Sequence, residues 1–253
     1  MSFRLLDFGC GTGESTVAMA RGVLGGLGTP GEVVGVDISE DMISHCRTNL
    51  QTSPVPGLSF HQLDVTRPES FLASNMNRFS CLTSFSCLHW VQDMPAAVSL
   101  FNKVLKVGGK FVFVIATSTV KSRFRFVFEE MKKEEKWAEI LNKTSWMHFN
   151  TVNVNNYWMS NVDKRNGYGN IKVEDFVTLM ENHSFRVDDV KTLDLDYKLN
   201  EDFVKGFVQT ALGSAFPEIV GMERKEFFTE FMARADRLKH MVGPGNHSYL
   251  LHD

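Results

Sequence analysis

The chain has 253 residues, 43% hydrophobic and 23% charged, which is enough to bury a substantial core as one large domain or one domain with an insertion. Its net charge of −3 argues against a polyanion such as nucleic acid as a bulk partner. There is no apolar run of about 18 residues and no secretion signal, so we expect a cytoplasmic protein without a membrane span.

In the first half of the chain, strand and helix signals alternate. We predict strands over residues 4–8, 32–37, 58–64, 79–86 and 110–116, with helices over residues 15–24, 39–50 and 94–105 between them. Ser39 is placed to cap the second helix, and Gly108 and Gly109 to stop the third. Because strands alternate with helices, residues 1–120 are predicted to form an α/β, doubly wound, mostly parallel, Rossmann-like sheet.

The second half, residues 121–253, is predicted to be a helical cap that carries the closing strands of the same domain. It supplies too few strands for a sheet of its own. The predicted helices cover residues 127–141, 173–182, 202–215 and 223–241, and the predicted strands cover residues 185–195 and 248–251.

A glycine-rich turn follows the first strand directly. Gly9, Gly11 and Gly13 stand in a GxGxG pattern just before a helix, so a ligand can lie against bare backbone at the helix N-terminus. The spacing differs from the GxGxxG of dinucleotide-binding folds, which usually carry a small or apolar residue at the position of Asp7. Asp7 either faces a cationic ligand, directly or through water, or braces the loop.

Carboxylates also end the next two strands. Asp37 closes the second strand, where a carboxylate can accept hydrogen bonds from both hydroxyls of a ribose; its alternative role is helix capping. Asp64 and Val65 end the third strand, where the side chain and backbone amides could read an adenine edge; the alternative is a turn aspartate. Together with the glycines, these positions predict one shared nucleotide-like ligand.

Two strings, Leu-Asp-Phe-Gly-Cys-Gly-Thr-Gly at residues 6–13 and Val-Gly-Val-Asp-Ile-Ser-Glu-Asp-Met at residues 34–42, resemble the class I S-adenosylmethionine-dependent methyltransferases. The resemblance covers residues 4–116 and implies a seven-stranded sheet and S-adenosyl-L-methionine as the cofactor. It implies that residues 84–88 line the wall near the sulfonium. The cofactor-binding residues that it implies are Asp7, Gly9, Gly11, Gly13, Asp37, Ile38, Met42, Asp64, Val65 and Ser84.

Beyond the fourth strand, His89 and Trp90 fall at the carboxyl end of the sheet, where ligand crevices lie. Trp90 offers an apolar face and one N–H donor, which suits a carboxylate on an apolar body, and His89 can donate to the same anion. The alternatives are that Trp90 packs under the next helix and that His89 is structural. We name both residues as catalytic candidates.

The string Phe-Ser-Cys-Leu-His-Trp-Val-Gln at residues 85–92, Glu-Glu-Lys-Trp at residues 134–137 and the segment that begins at Val173 resemble the arthropod juvenile hormone acid O-methyltransferases. That family methylates the carboxylate of farnesoic-acid-type isoprenoids, so the resemblance implies a small apolar carboxylic acid as the substrate. A phenylalanine-rich cap would suit a hydrophobic tunnel, although an ordinary core explains it too. We expect a monomer or homodimer.

Two other functions stay open. One is methyl transfer to a nitrogen or oxygen of another small molecule, with His89 as the base. The other is a catalytically inactive binding protein, because members of the family carry about two helices before the first strand, which this chain reaches near residue 4. The four cysteines, Cys10, Cys46, Cys81 and Cys87, include no CxxC pair, which predicts reduced thiols and no metal site.

Overall fold

The computed structural model describes residues 2–26, 31–88, 91, 93–115, 127, 130–143, 173–192, 221–238 and 250–251. The chain divides into two compact units. The first comprises Met1–Ala116, Val173–Thr192 and Tyr249–Asp253, and the second comprises Thr117–Lys172 and Leu193–Ser248. Within the described ranges, no helix is long and apolar enough to cross a membrane.

The first unit contains the sheet. Its strands are β1 (Phe3–Phe8), β2 (Gly31–Asp37), β3 (Leu58–Gln62), β4 (Phe79–Phe85), β5 (Leu105–Val114), β6 (Lys191–Thr192) and β7 (Leu250–Leu251). Its helices are α1 (Glu14–Gly26), α2 (Glu40–Thr52), α3 (Glu69–Asn75), α4 (Met94–Val104) and α6 (Val173–Asn182). In the second unit, the described helices are α5 (Glu135–Lys143) and α7 (Gly221–Leu238).

Five parallel strands form one hydrogen-bonded sheet in the order β3-β2-β1-β4-β5. This confirms the predicted α/β class and the parallel, Rossmann-like sheet. Strands β6 and β7 pair antiparallel as a separate ladder, and β7 contacts β5. Because the described strands form ladders of five and two, a continuous seven-stranded sheet is not confirmed.

Buried side chains of β1 alternate between the two faces of the sheet, and helices cover both faces. On one face, Leu5 packs with Ala20 of α1 and Ile43 of α2 in a buried cluster. On the other face, the ring of Phe8 meets the ring of Phe101 of α4 edge-on, with 5.0 Å between centroids. Burial of each such side chain stabilises the fold by roughly 1.5–3 kcal/mol.

The observed elements differ from the predicted ones at three places in the first unit. Helix α4 ends at Val104, before the two glycines expected to stop it, and residues 106–109 instead loop out of β5 between two ladder segments. Helix α3 was not predicted because it is only 7 residues long and contributes one buried residue, Phe71. The strand expected at residues 185–195 is reduced to Lys191–Thr192 among the described residues.

In the second unit, the helix predicted at residues 127–141 is interrupted. The backbone N–H groups of Lys133 and Glu134 donate to carbonyls three residues back, which makes a turn before α5. Trp137 of α5 is fully buried, and its indole N–H donates to the Glu230 carboxylate of α7 at 2.7 Å. The helix predicted at residues 202–215 lies outside the described residues.

Candidate cofactor site

The glycine loop lies between β1 and α1, with positive φ angles at Gly9, Gly11 and Gly13 of 74°, 53° and 82°. The backbone N–H groups of Gly9 and Cys10 both donate to the Val36 carbonyl, at 2.8 and 2.9 Å, which ties the loop to β2. Positive φ favours glycine because a Cβ would crowd the backbone. The conformation of the loop therefore depends on the three glycines of the GxGxG pattern.

Two of these glycines have different surroundings. A Cβ on Gly9 would lie 2.0 Å from the sulfur of Cys87, so packing alone demands glycine there. A Cβ on Gly11 would meet no protein atom within 4 Å. Gly11 thus presents bare backbone to open space at the carboxyl end of the sheet, which is the arrangement that close approach of a ligand requires.

Asp37 joins this loop to the start of α2. Its Oδ2 accepts from the Gly11 N–H at 2.9 Å, and its Oδ1 accepts from the Ser39 N–H at 3.0 Å. The Ser39 hydroxyl accepts from the Met42 N–H, so the helix-capping role falls to Ser39, as predicted. A carboxylate offers about four acceptor sites, so each oxygen of Asp37 retains capacity for a further hydroxyl donor.

Apolar surface lies next to this carboxylate. Ile38 is 65% exposed, which is unusual for a large aliphatic side chain that directly follows a buried strand. The Gln62 side-chain amide donates to the Ile38 carbonyl, and the Leu63 N–H donates to the Asp37 carbonyl, so the ends of β2 and β3 are fixed side by side. Met42 and Val65, both half-buried, follow these strand ends. An exposed apolar side chain beside an acceptor carboxylate fits a ribonucleoside.

Asp64 lies in a turn, and its carboxylate binds residues of the same turn. Its Oδ1 accepts from the backbone N–H and hydroxyl of Thr66, and its Oδ2 pairs with the Arg67 guanidinium at 3.0 Å. The hydrogen bonds from Thr66, with a smaller contribution from Arg67, lower the pKa of the Asp64 carboxyl. These contacts match the turn-aspartate alternative, and a role at the adenine edge would require Arg67 to release Oδ2.

Asp7 is 3% exposed and braces the loop from inside. Its carboxylate accepts from the hydroxyl of Thr16 on α1 at 2.5 Å and from that of Thr83 on β4 at 2.8 Å. Burial raises the pKa of the Asp7 carboxyl above its ordinary value, while the two hydroxyl groups oppose that rise. With both oxygens engaged and almost no exposed surface, Asp7 fits the bracing alternative rather than direct contact with a ligand.

Ser84 points into the protein. It is fully buried, and its hydroxyl donates to the Phe8 carbonyl at 2.8 Å, so its side chain links β4 to β1. Cys87, three residues later, is the side chain that contacts Gly9. Burial raises the pKa of the Cys87 thiol to about 12. The predicted His89 and Trp90 lie outside the described residues.

Three residues that shape the loop were not predicted from the sequence, namely Thr16, Thr83 and Cys46. Cys46 is 2% exposed and its thiol donates to the Gly11 carbonyl at 3.3 Å. Thr16 could have been identified from its position in the first turn of α1, since that helix follows the glycine loop and packs near Asp7. Thr83 could be found only from the strand register, which pairs it with Asp7.

Comparisons with known proteins identify the family of the chain. A family model described as a methyltransferase domain matches residues 2–174. The demethylmenaquinone methyltransferase of Symbiobacterium thermophilum is 33% identical over 128 residues, which cover 49% of this chain and 47% of that protein. The juvenile hormone acid O-methyltransferase of Drosophila melanogaster is 23% identical over 240 residues, which cover 90% of this chain and 77% of that protein. The chain thus spans about half of the first relative and about three quarters of the second.

Two solved structures share the fold. The cyclase SpnF superposes with a TM-score of 0.57 and 13% identity, over 99% of this chain and 74% of that one. Phosphoethanolamine N-methyltransferase 2 of Haemonchus contortus, solved with S-adenosyl-L-methionine, superposes with a TM-score of 0.53 and 15% identity, over 99% of this chain and 48% of that one. At such low identity, these similarities establish the architecture alone.

Proposed function

The chain belongs to the methyltransferase domain family with S-adenosylmethionine as its cofactor, and from that premise we propose that it transfers a methyl group to the carboxylate of a small apolar acid. An isoprenoid acid of the farnesoic or juvenile hormone acid type is the substrate class that we favour. The protein is then a carboxyl O-methyltransferase.

The observation that supports this proposal is the share of the chain over which one relative is similar to it. The match to the Drosophila juvenile hormone acid O-methyltransferase extends over 90% of the chain, whereas the matches to two demethylmenaquinone enzymes cover 49% and 68%. A similarity confined to the cofactor-binding half says little about the acceptor, because one fold hosts many acceptors. A similarity that continues through the second half includes the residues that would enclose the acceptor.

The described residues support the cofactor part of the reaction. The open backbone of Gly11 receives the ligand, the spare acceptor sites of Asp37 hold the ribose hydroxyls, and Ile38 supplies an apolar surface for the adenine. When bound, the cofactor supplies an electrophilic methyl group on a positively charged sulfur. The role of the loop is to fix the direction in which that methyl group points.

The acceptor chemistry needs little from the protein beyond placement. A carboxylic acid with a pKa of about 4–5 is already ionised at neutral pH, so no side chain must remove a proton. In-line placement of its oxygen behind the methyl group is worth up to roughly 7–11 kcal/mol in favourable cases. Because sulfonium and carboxylate become a neutral thioether and ester, a pocket that excludes water favours the reaction. We assign Trp90 to hold the carboxylate and His89 to donate to it.

The test is turnover of a panel of acceptors. Purified protein is incubated with S-adenosylmethionine and farnesoic acid, a saturated fatty acid, a hydroquinone or an amine, and methylated products are identified by mass spectrometry. We expect the methyl ester of farnesoic acid to form fastest. Trp90→Ala should raise KM for the acid by about tenfold while the affinity for S-adenosylhomocysteine stays unchanged, and Trp90→Phe should fall between. Methylation of the hydroquinone or amine alone would refute the proposal.

A second candidate is methylation of a different acceptor with His89 as the general base. The 26% identity to a demethylmenaquinone methyltransferase over 68% of the chain, which reaches into the second half, favours it. The two candidates differ in their pH profiles. Carboxylate methylation should be flat from about pH 6 upwards, whereas base catalysis should rise with a group of pKa about 6–7 and disappear in His89→Gln. Binding of acids without any turnover would instead favour the inactive binding protein.

A further inference from the structure

Two thiols that are far apart in the sequence meet beside the glycine loop. Cys10 lies within the loop and is partly exposed, and Cys46 lies on α2 and is 2% exposed. Their sulfurs lie 3.9 and 3.3 Å from the same atom, the carbonyl oxygen of Gly11. The two thiols are close enough that each influences the pKa of the other. A pair of free thiols therefore shares one backbone acceptor on the surface where the cofactor is expected to bind.

We propose that Cys10 and Cys46 are an oxidation site, at which a peroxide closes a reversible disulfide that disables the cofactor loop. The proposal rests on the cofactor site and is independent of which acceptor is methylated.

The chemistry takes two steps. The partly exposed Cys10 attacks one oxygen of hydrogen peroxide as its thiolate, which gives a sulfenic acid and one molecule of water. The buried Cys46 then attacks the sulfenic sulfur, so an S–S bond forms and a second molecule of water leaves. Overall, two thiols lose two protons and two electrons, and the peroxide is reduced to two molecules of water. A dithiol reductant reverses the change.

The disulfide must disturb the glycine loop, because both thiols donate to the Gly11 carbonyl. Bond formation removes both S–H donors from the Gly11 carbonyl and draws the sulfurs closer than any non-bonded contact. Cys46 has little room to move, since it is 2% exposed and packs in the buried cluster with Leu5 and Ile43. The strain therefore falls on the loop. The Gly11 N–H donates to Asp37, so displacement of Gly11 also disturbs the carboxylate expected to bind the ribose.

The surroundings of the thiols make the reaction slow at neutral pH. Burial raises the pKa of the Cys10 and Cys46 thiols, and the nearby carboxylates of Asp7, Asp37 and Glu14 raise it further. Thiolate is the reactive form, so oxidation should require sustained peroxide and should accelerate as the pH rises above neutral. The site then responds to oxidative conditions and stays reduced otherwise.

The test uses the full chain without substitution. The protein is treated with hydrogen peroxide, remaining thiols are alkylated, and peptides are mapped without reduction. Its affinity for S-adenosylhomocysteine is measured by calorimetry before oxidation, after oxidation and after dithiothreitol. We expect a cross-linked Cys10–Cys46 peptide, a loss of affinity of about tenfold or more, and recovery on reduction. Bound S-adenosylhomocysteine should shift the thiol–disulfide equilibrium towards the two free thiols, because coupling between two sites is reciprocal at equilibrium.

Two variants serve as controls. Cys81 lies on β4, so Cys81→Ser should retain the full response to peroxide, whereas Cys10→Ser should lose both the cross-link and the reversible loss of affinity. A cross-link with unchanged affinity would overturn the proposal, as would oxidation of Cys10 without a bond to Cys46. Absence of methyl transfer to acids, with the cross-link and affinity loss intact, would count only against the proposed acceptor.

Discussion

Gly9 and Gly11 form a matched pair for testing the loop, since both have positive φ angles, of 74° and 53°, but an added Cβ would meet a side chain only at Gly9. In Gly11→Ala, the new Cβ meets no protein atom within 4 Å, so we expect only the backbone penalty of about 1–2 kcal/mol for a non-glycine residue in this region. In Gly9→Ala, the Cβ would lie 2.0 Å from the sulfur and 2.3 Å from the Cβ of Cys87. Overpacking of this kind adds about 1–3 kcal/mol.

The expected loss of unfolding free energy is therefore about 1–2 kcal/mol for Gly11→Ala and about 2–5 kcal/mol for Gly9→Ala. Urea denaturation measures both. Cofactor binding should show the reverse order in the folded proteins: a Cβ on Gly11 enters the open space where we expect the ligand to bind, so Gly11→Ala should weaken binding of S-adenosylhomocysteine more than its loss of stability suggests.

A double variant separates the clash from the backbone penalty. In Cys87→Gly both atoms that crowd the new Cβ are gone, and the nearest remaining atom of that residue is its Cα at 3.8 Å. Gly9→Ala combined with Cys87→Gly should recover about 1–3 kcal/mol relative to the sum of the single changes. Purely additive effects, or equal destabilisation by the two alanine substitutions, would refute the packing argument.

Three further predictions concern polar contacts. Thr16→Val removes a buried donor to Asp7 and should cost about 1.5–3 kcal/mol in urea denaturation, the range for hydrogen bonds to charged groups; no change would mean that the contact is unimportant. Burial raises the pKa of Asp7 from its ordinary 3.8, so above that pH the unfolded chain releases its proton first and the stability contribution of this group falls. The unfolding free energy of Asp7→Asn minus that of the natural chain should therefore increase as the pH rises above 3.8. A difference that does not change with pH would contradict the effect of burial on the pKa of Asp7. Arg67 is 82% exposed, so Arg67→Ala should change stability by less than about 1 kcal/mol, and a larger loss would show that its pair with Asp64 supports the turn.

Local sequence signals predicted the parts of the site that depend on short-range chemistry. Ser39 caps α2 as predicted, because a hydroxyl at the residue before a helix can accept from the free N–H groups of the first turn. The GxGxG pattern predicted the turn after β1, because positive φ angles leave few residue types to choose from.

The contacts that the sequence did not predict depend on distant parts of the chain. Thr83 meets Asp7 through the register of β4 against β1, and Cys46 meets Gly11 because α2 packs on the same face as α1. Ser84 was placed near the sulfonium by resemblance, yet strand alternation and a bond to the Phe8 carbonyl turn its hydroxyl inward. Such contacts follow from three-dimensional packing, which spacing along one sequence does not determine.

The central claim is that Asp37 binds the ribose of S-adenosylmethionine at this loop. The most direct measurement is a calorimetric cycle with the natural chain and Asp37→Ala, each titrated with S-adenosylhomocysteine and with its 2′-deoxy analogue. We predict that the natural chain discriminates between the two ligands by about tenfold or more and that Asp37→Ala discriminates little, because the hydroxyl and its acceptor act as one pair. Equal discrimination by both proteins would contradict the assignment of Asp37.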